Sequence, residues 1–132
     1  MILGIGIDLV DIFRIKKILE KYPSQFARRV LGKSELGTYE KILFSDVRSH
    51  ERANRFIAKR LAAKEAVSKA FGTGLRGKMS LKTIEVLNDN LGKPYVVLSP
   101  FRGKTGLPYF KKIHISLTDE NNFAQAIAIL EG

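Results

Sequence analysis

The sequence predicts an α+β fold, on three observations. A long amphipathic helical run fills positions 52 to 71, an apolar strand-like segment opens the chain at 2 to 9, and the second half changes to the two-residue period of paired strands. At 132 residues, with no linker, repeat or low-complexity tract, one domain spanning 1–132 is expected. Hydrophobic residues make up 45% and charged residues 27%, enough apolar material to offset the entropy of ordering the chain. Core volume must come from Ile, Leu, Val and eight Phe, because there is no Trp and there are two Met.

The opening ILGIGIDL is apolar on both sides, with Gly4 and Gly6 admitting close neighbours, which predicts an interior strand. Over 11 to 22, Ile12, Ile15, Ile18 and Leu19 recur at helical spacing while Arg14, Lys17 and Lys21 face elsewhere, and Pro23 ends the run. Residues 24 to 50 give mixed signals, with helix expected near 24 to 31 and again over 34 to 43, interrupted at Gly37. The run over 52 to 71 places Phe56, Ala63, Val67, Ala70 and Phe71 on one stripe, with Gly72 directly after it, and predicts a long helix packed across a sheet. Segments 83 to 87 and 95 to 98 flank a turn-rich stretch and predict a hairpin; 112 to 117 and 124 to 130 predict a second, around polar residues 118 to 122. Residues 99 to 110, with two Gly and two Pro, form the expected mobile loop.

Lys and Arg outnumber Asp and Glu by 23 to 13, a formal charge of +10 that attracts polyanions and points to a phosphate-rich partner. A nucleic-acid-binding domain is the competing reading, but the Phe residues are scattered and follow core periodicity, so nucleic acid is not the expected partner. The absence of Cys excludes disulfides, thiol nucleophiles and Cys-ligated zinc. No basic leader precedes the first apolar run, and no run approaches the roughly 18 apolar residues of a spanning helix. Cytoplasmic residence without integral membrane association is expected.

Asp8 is unusual at the end of an apolar strand, where a carboxylate needs a cation, hydrogen bonds or solvent. It competes with Asp11 for the role of capping the following helix. Glu65 and Lys69 stand four apart on the long helix, beside Ala58, Ala62 and Ala66. They read either as an ordinary ion pair or as a carboxylate for a hard cation and an ammonium for phosphate, on a face small enough for close approach. If the first strand packs near the middle of that helix, Asp8 and Glu65 converge, and two such carboxylates with phosphate and water suit Mg²⁺, with Mn²⁺ as the other oxygen-accepting ion. The glycine-rich run from Phe71 to Lys78 reads as a helix cap or as a phosphate wrap. His114 and Ser116 share the polar side of a strand, and two histidines so placed make no zinc site.

Four segments resemble the holo-acyl-carrier-protein synthases, the small trimeric type of 4'-phosphopantetheinyl transferase. These are GIGIDLVDI at 4 to 12, RFIAKRLAAKEAVSKAFGTG at 55 to 74, LGKP at 91 to 94 and IHISLTDENNFAQAIAIL at 113 to 130. The resemblance implies an antiparallel sheet packed around a long central helix, and transfer of the phosphopantetheine arm of coenzyme A to a serine of apo-acyl-carrier protein, with adenosine 3',5'-bisphosphate released. It implies Asp8 and Glu65 as Mg²⁺ ligands, with Lys69 on the coenzyme A phosphates. Lys64, Gly72, Thr73, Gly74 and Ser116 are implied as cofactor wall, and Arg14, Lys17 and Lys21 as docking residues for the acidic carrier. A homotrimer with coenzyme A between subunits is likewise implied, and the Ala/Ile tail at 124 to 130 fits packing within or between subunits. Proton removal from the serine falls to Glu65 or to a metal-associated water. The family commonly carries Ser-His where this chain has Thr118-Asp119, so the histidine's role is not transferred, and Asp119 is left between a water-binding accessory and a solvent-facing residue.

Overall fold

The computed structural model describes residues 1–77, 79–99 and 107–132; Lys78 and most of the expected mobile loop lie outside them. Its elements are β1 (Ile2–Asp11), α1 (Ile12–Lys21), α2 (Pro23–Val30), α3 (Lys33–Leu43), α4 (Ser49–Phe71), β2 (Ile84–Asn88), β3 (Pro94–Leu98), β4 (Lys112–Glu120) and β5 (Phe123–Glu131). β1, β5 and β4 form an antiparallel sheet in that order, and β2 pairs with β3 in a separate hairpin. The long helix α4 lies across the larger sheet, against β1 and β5. The fold is α+β, with an antiparallel sheet packed on a long helix.

α4 is buried on nearly every side, from Phe56 and Ile57 through Ala62, Ala63, Ala66 and Val67 to Phe71. The alanine face takes β1. Gly4 and Gly6 pass so close to α4 that a methyl group on either would overlap the carbonyl oxygen of Ala70 or Ala66. The close approach expected of a ligand at Ala58, Ala62 and Ala66 is thus taken up by the chain's own first strand.

β1 is an edge strand, not the interior strand its two-sided apolarity predicts. Its inner face carries Gly6, Asp8 and Val10, while Ile5, Ile7 and Leu9 remain 52–58% exposed on the other. β5 is central, and its alanines at 124, 126 and 128 are buried under α4. Asn121, at φ 52°, makes the tight turn from β4 into β5 in a left-handed conformation that Asn tolerates.

α3 runs unbroken through Gly37, which points to open space, so the expected interruption is absent. Its start is built from a distance. Gly32 has no side chain to cap with, and the Glu85 carboxylate on β2 instead accepts from the backbone N–H of Ser34 at 2.9 Å and of Glu35 at 3.4 Å. α1 has a local cap, Asp11, whose Oδ1 accepts from Phe13 and Arg14 N–H. That settles the competition for this role, and leaves Asp8 for other work.

Candidate active site

The β1–α4 packing brings residues 8 and 65 together. Asp8 lies on the inner face of β1, two residues beyond the Gly6 crossing, and Glu65 precedes Ala66 on the apposed turn of α4. Both line a cleft of about 490 Å³, with Lys69, Asp11 and Arg14 around it and Ile15, Ile18, Phe26 and Leu61 as its apolar wall. Burial and the nearby negative charge of Asp8 push the Glu65 carboxyl above its ordinary pKa, partly offset by Lys69.

Lys69 bridges the two elements. Its ammonium donates to Asp8 Oδ1 at 2.9 Å and to the backbone carbonyl of Ile7 at 3.0 Å. The Asp8 side chain is 18% exposed and that of Lys69 52%, so a sheltered carboxylate meets a cation that reaches solvent. The alternative of an intrahelical pair with Glu65 is not the arrangement formed. Arg14, on the exposed side of α1, enters no ion pair among the described residues.

Not every expected residue joins this cleft. Lys64 has no surface with which to line a cofactor wall: its side chain is fully buried, and its ammonium donates to Glu35 Oε1 at 2.5 Å and to the carbonyls of Val30 and Leu81 at 2.6 and 2.7 Å. Burial lowers its pKa, against the opposing pull of Glu35. Lys64 therefore ties α4 to α2, α3 and the segment before β2, a correction to its expected role. Ser116 lies on the outer face of the sheet, level with Ile127 and Ile7, and so on the opposite side from Asp8 within one chain. Gly72 caps α4 in a left-handed conformation, φ 72°, its N–H directed to the carbonyls of Ser68 and Lys69. Thr73 follows with a buried hydroxyl that has no hydrogen-bond partner among the described residues, then Gly74 at φ 64°. Lys17 and Lys21 are exposed on α1, with their ammoniums over the rings of Phe13 and Tyr22.

Asp119 is neither a free accessory acid nor a solvent-facing one. It accepts from Arg55 at 3.0 Å and pairs with Lys59 at 3.1 Å, both on α4. Burial alone would raise its pKa, but these two cations hold it below the ordinary carboxylate range. Sequence reasoning missed Glu35, the partner of Lys64, and the apolar wall residues Phe26 and Leu61; of the wall, Ile15 and Ile18 carried a periodicity signal.

The 4'-phosphopantetheinyl transferase superfamily matches residues 4–128. The chain belongs to the holo-acyl-carrier-protein synthase family. It is 45% identical over 135 residues to the synthase of Blochmanniella pennsylvanica, with 99% of each chain covered. The Neisseria meningitidis synthase crystal structure superposes with a TM-score of 0.84 at 33% identity over the whole of both chains. The Bacillus anthracis synthase, solved in complex with CoA (3',5'-ADP), gives 0.80 at 36% identity, covering 100% of this chain and 98% of that one. As a member of the synthase family the chain is an enzyme of phosphopantetheinyl transfer. No helix among the described residues is long and apolar enough to cross a membrane.

Proposed function

We propose that the chain transfers the 4'-phosphopantetheine arm of coenzyme A to a serine hydroxyl of apo-acyl-carrier protein and releases adenosine 3',5'-bisphosphate. The observation that carries this reading is the convergence of Asp8, Glu65 and Lys69 in one cleft. Two carboxylates at one cleft are donors of the kind Mg²⁺ takes, since that ion keeps several waters and uses one or two carboxylates plus substrate phosphate. Asp8 and Glu65 would hold it, and Mn²⁺ satisfies the same oxygen donors. When bound, the ion supplies positive charge to the diphosphate under attack.

The chain's own groups do the rest. Lys69, half in solvent on a flexible stem, can leave Asp8 for a diphosphate oxygen and stabilise the charge that grows on the departing adenosine 3',5'-bisphosphate. The serine proton goes to Glu65 or to a water in the cleft. Arg14 at the cleft, followed by Lys17 and Lys21 along α1, offers the acidic carrier a docking strip. Ile18, Phe26 and Leu61 give the cleft apolar lining beside its charges.

The exposed apolar ridge of Ile5, Ile7 and Leu9, continued by Ile127 and Phe123, supports assembly through the outer sheet face, and we assign it to the contact between subunits of a homotrimer. Ser116 on that same face, and the Gly72–Gly74 turn, then belong to a coenzyme A cleft shared between copies. The deciding experiment is intact mass analysis of apo-carrier incubated with coenzyme A and Mg²⁺. A gain of about 340 Da on the carrier, the mass of the serine-linked arm, is expected only with enzyme present. Asp8→Ala and Glu65→Ala should each slow the conversion about a hundredfold or more while remaining folded. Full activity in both variants would reject the assignment.

A further inference from the structure

Lys69 makes a contact that the transfer reaction does not require of it. Its ammonium sits on Asp8, a cleft carboxylate with a side chain only 18% exposed, and is fastened a second time by the carbonyl of Ile7. A carboxylate only 18% exposed is costly without a counter-charge, and here a side chain of the same molecule provides one. The lysine is suited to a temporary post. It is 52% exposed, has a four-carbon stem, and binds as a point charge without the fixed fork of an arginine, so it can swing away without repacking the core. A divalent ion on Asp8 and an ammonium 2.9 Å from the same group repel each other, so occupancy of Asp8 by one weakens the other.

We infer that Lys69 is a built-in place-holder for the metal: it neutralises Asp8 in the metal-free protein, opposes metal binding while there, and is drawn off by the diphosphate, so that metal and coenzyme A bind cooperatively through one side chain. This rests on the assignment of Asp8 and Glu65 as metal ligands. Because coupling between two ligands is reciprocal, whatever diphosphate does for the metal the metal does for diphosphate.

Direct titration of Mn²⁺, followed by the electron paramagnetic resonance of the free ion without coenzyme A, separates the possibilities. Lys69→Gln should bind Mn²⁺ about tenfold more tightly than the unsubstituted protein, the scale set by one charge a few ångströms from a divalent ion near solvent. Lys41→Gln, which removes one exposed charge on α3, should leave the affinity unchanged, and Lys69→Arg should not show the gain. Adding coenzyme A should tighten Mn²⁺ in the unsubstituted protein by a factor that shrinks at least threefold in Lys69→Gln. Equal or weaker Mn²⁺ binding by Lys69→Gln overturns the place-holder. If the unsubstituted protein binds no Mn²⁺, the metal assignment itself fails and takes this inference with it. As a second readout, the Lys69 ammonium resonance of the unsubstituted protein should shift on adding Mg²⁺ and again on adding coenzyme A; a resonance indifferent to Mg²⁺ contradicts the mechanism.

Discussion

Lys64 and Lys69 sit five residues apart in one motif, yet one is sealed in the core and the other opens to solvent. Nothing in their spacing separates a buried ammonium from a solvent-reaching one, because the difference is made by Glu35, 29 positions away, and by the carbonyls of Val30 and Leu81. Asp8 and Glu65 were legible as an odd pair of acids, but their meeting depends on packing that periodicity does not encode. The buried pair predicts a large, asymmetric mutational response. Lys64→Met should lose about 3–5 kcal/mol of unfolding free energy, because Glu35 is left charged and uncompensated in the interior. Denaturant unfolding of Lys64→Met beside a Lys64→Met/Glu35→Gln double variant measures it; the double variant, which removes the buried charge and keeps an amide oxygen for a backbone N–H, should recover part of the loss.

Among the elements, the long helix and both hairpins could be read directly, since their signals are local: a 3.6-residue stripe, a two-residue alternation, and turn residues between. α3 was expected over 34 to 43 but broken at Gly37, and its N-terminal cap, supplied by Glu85 on β2, leaves no local signal. β1 was misjudged for a different reason: apolar residues on both faces look the same whether the outer face is covered within one chain or left open. The crossing of β1 over α4 also sets a mechanical constraint on the chemistry. Gly6→Ala would drive a methyl group into the Ala66 carbonyl and lift the strand just before Asp8. It should cost about 1–3 kcal/mol or more and also slow transfer, with weakened Mn²⁺ binding as the sign that Asp8 has moved. Thermal unfolding and Mn²⁺ titration of the same variant separate the two effects.

At the scale of the whole molecule, the excess of positive charge was plain from composition, but which part of it faces the cleft was not. α1 concentrates it: Arg14 lies at the cleft and Lys17 and Lys21 extend along the exposed side. Arg14→Glu or Lys17→Glu should lower kcat/KM for the carrier about tenfold at low ionic strength, with little change in kcat at saturating carrier. The deficit should close as salt rises and the Debye length falls below about 10 Å. An unchanged salt dependence would remove α1 as the docking strip. Other cations are spent internally: Arg55 and Lys59 on Asp119, Arg60 on Asn88 and the Phe56 ring. The count of cationic side chains therefore overstates how many are free to meet a partner.

The Glu85 carboxylate that starts α3, and the Glu35 carboxylate that accepts the Val86 N–H in return, make the small hairpin and that helix mutually dependent. Neither can fray without stripping hydrogen bonds from its neighbour, so amide protons on α3 and on β2–β3 should become exchangeable in a single opening event. The larger sheet would keep its protection while this event occurs, so the cleft of Asp8 and Glu65 stays framed through fluctuations elsewhere in the molecule.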